Sequence, residues 1–194
     1  HASVYDWGGK NIFAAPEPTE PPRLTPRLRH AVGGLGQLLD ESMLCFAPHA
    51  NSYRRFRAGA LAPSGKSWGY DHREVALRIP RSTEHNRRIE HRVAGAEANP
   101  FIVLAAVLTG IHHGLVEQVD PGDPVLRNAD LSEDETTLPS RVDAAIDLFS
   151  RSGVLADYFG REFSQIYSAI RQGESNAYHA QIPGLDYTWY LRAL

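Results

Sequence analysis

The feature that most limits what this chain can fold into is an alternation, NRRIEHRV, running from Asn86 to Val93. On a strand successive side chains point to opposite faces, so Arg88, Glu90 and Arg92 share one face and Arg87, Ile89, His91 and Val93 the other. The segment Val75 to Ile79 alternates as well, with Val75, Leu77 and Ile79 on one side and Ala76 and Arg78 on the other. Two adjacent strands would present Arg78, Arg88, Glu90 and Arg92 to a common surface. A carboxylate among guanidiniums packs poorly in a core, because charges in low dielectric must be paired or must hold a ligand. Two readings stay open at this level. One is a solvated strand face whose cross-strand pairs contribute about a few tenths of a kcal/mol. The other is a metal and phosphate site: the carboxylate gives a hard oxygen to Mg²⁺ or Mn²⁺, and the arginines take phosphate oxygens bidentately.

The charge distribution favours an anionic ligand held at one place. Asn51 to Arg92 contains ten of the chain's 20 Lys and Arg against four acids, a local charge of +6 within a net charge of −3, leaving −9 elsewhere. A general polyanion binder would be basic overall, and no nucleic-acid-binding motif appears, so nucleic acid is excluded as a partner.

At 194 residues, 42% hydrophobic and 22% charged, the chain is long enough for a sizeable core. The longest apolar run, Phe101 to Leu108, falls short of a membrane span, so no membrane association is expected. The single cysteine, Cys45, lies in an apolar helical context and reads as a small buried hydrophobe, consistent with a reducing, cytoplasmic setting.

The remaining chain reads as scaffold. A strand and a Gly8-Gly9 turn are expected within 1–15, then a Pro-rich loop from Pro16 to Pro26. Thr25 and Pro26 have the form of an N-cap and first turn. They open an amphipathic helix to Phe46, whose Gly33, Gly34 and Gly36 permit close packing on a neighbour. Ala58 to Gly65 is a loop suited to a flap. A second helix starts at Ala96 or Asn99 and runs to about Leu115, apolar nearly all round and hence expected to be buried. His30, His112 and His113 read as surface or capping groups, not metal ligands. Asp120 to Pro139 is an acidic excursion. Helices follow over Pro139 to Phe149 and Leu155 to Ala177, the latter with an apolar stripe from Leu155 to Ile170 assigned to the core. Tyr187, Trp189 and Tyr190 form a terminal cluster expected to dock on the body or on a neighbouring subunit.

The runs NSYRRF (Asn51 to Phe56), SWGYDHREVALRIP (Ser67 to Pro80) and RRIEHRVAGAEANPF (Arg87 to Phe101) closely resemble the C-terminal half of the glutamine synthetase catalytic domain. The opening HASVYDWGGKNIFA resembles the same family, and the match runs in order along nearly the whole chain. The wording of RRIEHRVAGAEANPF, GIHHGL and YHAQIPGLDYTWYLRAL looks most like the branch that joins glutamate to polyamines, the γ-glutamylputrescine synthetases.

The resemblance implies an α+β fold, with antiparallel strands curved around the site and helices outside. It implies ATP-dependent ligation of the γ-carboxylate of glutamate to an amine through a γ-glutamyl phosphate. Carried over by position, Glu90 is the metal-binding glutamate and Arg55 holds the α-carboxylate of glutamate. Arg73 and Arg78 lie on the ATP phosphates and the transferring phosphoryl group, with Arg73 also at the glutamate. Arg92 stands near glutamate and the γ-phosphate, Arg88 is a further nucleotide contact, and His1 and Ser3 form a turn touching the nucleotide. Arg73 and Arg92 are the catalytic pair. The implied cofactor is Mg²⁺ or Mn²⁺, with ATP as co-substrate, and the implied assembly is a homo-oligomer of stacked rings, a dodecamer.

Two departures sharpen the expectation. Ammonia-using members carry a glutamate two residues before the proline that is Pro63 here; this chain has Leu61, which better suits the methylenes of an alkylamine. The loop NADLSEDETTLP, Asn128 to Pro139, lacks the tyrosine adenylylated in bacterial ammonia-using enzymes. Residues 1–194 read as the C-terminal portion of the catalytic domain, with the β-grasp domain and the other metal-binding glutamates upstream. The competing readings are an ammonia-using glutamine synthetase, which Leu61 disfavours, and a catalytically silent relative, which Glu90, Arg55, Arg73 and Arg92 disfavour.

Overall fold

In the computed structural model, residues 1–16, 24–57, 60–126 and 138–191 are described. The fold is α+β: seven helices among these residues surround a small three-stranded sheet. Pro26 at the first position opens α1 (Pro26–Gln37), and the Thr25 hydroxyl accepts from the Leu28 amide at 3.2 Å, as the cap pattern predicts. The helix does not continue to Phe46. It ends at Leu38, and a separate turn of helix, α2 (Met43–Phe46), follows with all four residues buried. The intervening turn is held by Lys66 on Asp40 at 2.7 Å, an ion pair between distant segments that helical periodicity cannot reveal.

The glycines of α1 bring it against α3 (Pro100–Glu117). A Cβ on Gly34 would stand 2.2 Å from the Gly110 carbonyl oxygen, and one on Gly114 would stand 2.1 Å from that of His30. The backbones touch, and side chains larger than hydrogen have no room. Asn99 caps α3, accepting from the amides of Phe101 and Ile102. The expectation that α3 is buried all round is corrected: Ala106, Val107, Gly110, Ile111 and Gly114 are buried, but Phe101, Leu104, Leu108 and Val116 are exposed. At 18 residues α3 is also long and apolar enough to cross a membrane by length and composition, which corrects the reading that nothing approaches a span. Its packing on α1 gives it a structural role in this fold. His30 bonds the Val119 carbonyl, and His112 pairs with the Tyr158 hydroxyl at 2.7 Å instead of capping the helix.

The sheet has the order β1 (Trp68–Tyr70), β2 (Leu77–Ile79), β3 (Glu90–His91). The β2–β3 pair is antiparallel, with Arg78 opposite Glu90 and Leu77 opposite His91. The β1–β2 pair is parallel, with Trp68 opposite Leu77, so the sheet is not antiparallel throughout. The short return between these strands passes through Asp71 at φ 48, a left-handed position. The amino-terminal segment is not a full strand. It extends the sheet by the single bridge Ala2 to Ile89, with a second bridge, Tyr5 to Asn11, closing over a turn at Gly9.

Below the sheet lie Val75, Leu77, Ile79, Ile89 and Val93, each at most 1% exposed, together with Ala76. Beyond α3 the chain forms α4 (Val142–Arg151), α5 (Gly153–Phe159) and α6 (Arg161–His179). The helix predicted from Leu155 to Ala177 is split at Gly160, whose φ of 90 the right-handed helix does not admit. Of the apolar stripe, Leu155 and Tyr167 are core, whereas Tyr158, Phe163, Ile166 and Ile170 are exposed. The last helix, α7 (Gly184–Tyr190), has no buried residue, and Tyr187, Trp189 and Tyr190 are exposed, so among the described residues they do not dock on the body. Most of the Pro-rich loop and of the acidic excursion, including 128–137 of the candidate regulatory loop, lies outside the described residues, as do 58 and 59 of the candidate flap.

Candidate active site

Pairing of Ala2 with Ile89 fixes which side chains meet. Ile89 is fully buried and Ala2 packs against the core, so their sequence neighbours emerge on the opposite face of the sheet. His1 and Ser3 therefore join Arg88 and Glu90 there. The Arg88 Nε lies 3.3 Å from the His1 Nδ1, the Arg88 Nη1 donates to the Asn86 carbonyl at 3.0 Å, and the Ser3 hydroxyl reaches the Arg87 carbonyl at 3.4 Å.

Glu90 is the centre of this face. Its Oε2 accepts from the Arg78 Nη1 at 2.7 Å, and its Oε1 lies 3.8 Å from the Arg92 Nε. All three side chains are about one-fifth exposed, so the cluster is neither a dry ion pair nor a free surface patch. Arg78 is shared: its other terminal nitrogen donates to Asp71, and the hydrogen bond it donates to Glu90, against the cost of burial, raises its pKa. Asp71 is half exposed, so a phosphate oxygen could replace it on Arg78 without disturbing Glu90. Arg92 also reaches the Val75 carbonyl at 3.4 Å. Arg73 sits exposed in the return between β1 and β2 and has no partner among the described residues.

Arg55 approaches from the 3₁₀ turn Ala50–Arg55. Its Nη2 donates to the carbonyls of Val93 at 2.5 Å and Phe46 at 3.3 Å, and its Nε lies 3.9 Å from Glu97. These bonds fix Arg55 at the end of the segment that carries Glu90 and Arg92. Desolvation lowers its pKa from the ordinary arginine value, a position that favours an incoming anion. Leu61 is 92% exposed and lines no part of the cluster.

The supports beneath were only partly foreseen. Arg87, grouped by alternation with Ile89 and Val93, is indeed inside at 2% exposure, and is paired there with Glu84. The Glu84 carboxylate also accepts the Ala15 amide at 2.7 Å. Asn11, 2% exposed, donates to the Arg87 carbonyl at 2.7 Å and so positions the residue before Arg88. Its only sequence signal is its place in the resembling run KNIFA. Cys45 is 1% exposed and burial pushes its thiol up to about 12, which makes it inert.

As a metal site this face offers one carboxylate. Among the described residues no group of three or more His, Cys, Asp or Glu side chains could hold a metal ion. A single carboxylate flanked by arginines fits an ion such as Mg²⁺, which keeps waters and phosphate oxygens in its shell.

A family model for the glutamine synthetase catalytic domain matches residues 1–190, and the chain belongs to the glutamine synthetase family. It is 35% identical to gamma-glutamylputrescine synthetase PuuA of Escherichia coli, over 99% of this chain and 40% of that protein. It is 31% identical to gamma-glutamylethanolamide synthetase GlnA4 of Streptomyces coelicolor, over 99% of this chain and 39% of that protein. The solved structure of apo GmaS without ligand superposes with a TM-score of 0.86 at 24% identity, covering 98% of this chain and 44% of that one. The chain thus spans about two fifths of the length of the relatives it matches.

Proposed function

We propose that the protein carrying this chain is an ATP-dependent ligase that joins the γ-carboxylate of glutamate to an amine through γ-glutamyl phosphate. The observation that carries this reading is the Glu90 carboxylate held between Arg78 and Arg92, on a face shared with Arg88, His1 and Ser3. Phosphoryl transfer needs little covalent work from protein and much charge neutralisation, which is what this residue set supplies. Arg78, Arg88 and Arg73 take the ATP phosphates, and His1 and Ser3 border the nucleotide. Arg55 takes the α-carboxylate of glutamate, so that only the γ-carboxylate faces the phosphate, with Arg73 and Arg92 stabilising the charge that develops between them. Glu90 would hold Mg²⁺ or Mn²⁺, which when bound supplies Lewis-acid neutralisation of the phosphoryl oxygens.

The amine is proposed to be an alkylamine, with a polyamine such as putrescine first. Leu61 in place of a carboxylate supports this, as do the relatives named for glutamate-amine products. Residues 1–194 are proposed as the C-terminal part of the catalytic domain, within a homo-oligomer of stacked rings whose contacts would cover the exposed apolar residues of α7. The test is interception: hydroxylamine traps an acyl phosphate as a hydroxamate. Glutamate, ATP and hydroxylamine should give γ-glutamyl hydroxamate with the intact protein, and its absence under conditions that support ATP binding would remove the proposed intermediate.

A further inference from the structure

Arg78 meets an incoming phosphate with both of its terminal nitrogens already on carboxylates. Its Nη1 donates to Glu90 at 2.7 Å, its Nη2 donates to Asp71, and its Nε is closed to solvent without a partner. A bidentate grip on phosphate uses two neighbouring N–H donors, and the enclosed Nε cannot supply one. The grip falls to the two terminal nitrogens. Two carboxylates on one guanidinium also leave the trio with one more negative charge than positive, which repels an anion. One of the two acids has to give way.

Their surroundings decide which. Glu90 is the register partner of Arg78 in the β2–β3 pair, its other oxygen faces Arg92, and its side chain is 23% exposed. Asp71 lies just beyond β1, outside the paired strands, with its side chain 54% exposed. An ion pair so open to water contributes little and is readily exchanged. A second observation singles out Asp71: its φ of 48 lies in the left-handed region, a conformation that costs free energy and recurs at ligand clamps and switch regions. The Asp71 amide donates to the Ile79 carbonyl at 2.9 Å, so the backbone stays anchored across β2 whether or not the carboxylate holds Arg78.

We propose that Asp71 is a positioning residue for the nucleotide: it occupies the place of a phosphate oxygen on Arg78, keeping that guanidinium beside Glu90, and yields the place when a phosphate arrives. The proposal rests on the reading of Arg78 as an ATP-phosphate contact. One anion replaces another on the same nitrogen, so Arg78 and Glu90 need no rearrangement, while nucleotide affinity is lowered by the bond that must break. Calorimetric titration of the intact protein with ADP and Mg²⁺ tests the exchange. Asparagine tolerates the left-handed backbone, so Asp71→Asn removes the charge and keeps the turn. It should bind ADP several-fold more tightly than the unaltered protein, and the KM for ATP should fall while kcat changes less. A purely structural role predicts the opposite sign, because a loosened turn loses affinity. Asp71→Gly serves as a second variant should Asp71→Asn fail to fold. Asp120→Asn removes an equal charge at the Arg29 pair, outside this cluster, and should leave ADP binding unchanged. Arg78→Gln should weaken ADP binding about tenfold or more, and unchanged binding there would overturn the phosphate role of Arg78 itself. With that weakening observed, unchanged or weaker binding by Asp71→Asn, or an equal gain in Asp120→Asn, would overturn the role of Asp71 alone.

Discussion

Arg78 and Glu90 are register partners across the antiparallel β2–β3 pair, and their side chains meet at 2.7 Å on the open face of the sheet. Backbone pairing thus places the carboxylate before any ligand arrives, with Arg78 beside one of its oxygens and Arg92 beside the other. Such preorganisation removes reorganisation from the reacting step.

Glu90→Gln keeps the shape and removes the charge. Ligase turnover should fall by about a hundredfold or more, because metal-assisted charge neutralisation contributes several kcal/mol. Thermal stability should change far less than activity, since the pair is partly solvated. Equal losses in both would assign Glu90 a structural role.

The Glu84–Arg87 pair should behave in the opposite way. Arg87 is 2% exposed, and Glu84→Gln leaves its charge buried without compensation. Denaturant unfolding should show a loss of about 3–5 kcal/mol, and the double change Arg87→Met with Glu84→Leu should recover much of it.

Packing of α1 on α3 predicts a third outcome. In Gly34→Ala the new methyl would stand 2.2 Å from the Gly110 carbonyl oxygen, so the helices must separate. Overpacking of about 1–3 kcal/mol should lower Tm by about 3–10 °C.

His91 makes stability depend on pH. Its ring packs on Phe46, both ring nitrogens are closed to solvent without partners, and burial above all lowers its pKa to about 4, with the Arg55 guanidinium acting in the same direction. The unfolded chain takes up this proton near pH 6.5, whereas the folded chain resists it until about pH 4. The contribution is therefore complete above about pH 6.5 and is lost as pH falls through about 4. Tm measured across this window should fall, and the fall should be shallower in His91→Phe.

Much of this was legible in local patterns. Period two placed Arg78, Arg88, Glu90 and Arg92 on one face because buried Leu77, Ile79, Ile89 and Val93 leave them no other direction. Thr25 and Asn99 announced their helices because capping is chemistry between near neighbours. What pattern could not supply depends on distant partners. The break after Gln37 is held by Lys66, the parallel β1–β2 pair turns on Asp71, and the solvent-facing apolar residues of α3 have no covering neighbour among the described residues. Asn11, which positions Arg87 across a long sequence gap, carries no periodic signal.

Glutamate-dependent ADP release from the intact protein with Mg²⁺, measured with ammonium, putrescine, spermidine and a monoamine, distinguishes the candidate amines directly. Turnover is expected with a diamine or polyamine, and little with ammonium. In Leu61→Glu, the preference should shift toward ammonium by about tenfold, about 1.4 kcal/mol of discrimination. Preference for ammonium in the unaltered protein would contradict the role given to Leu61, and silence with every amine would contradict the ligase reading.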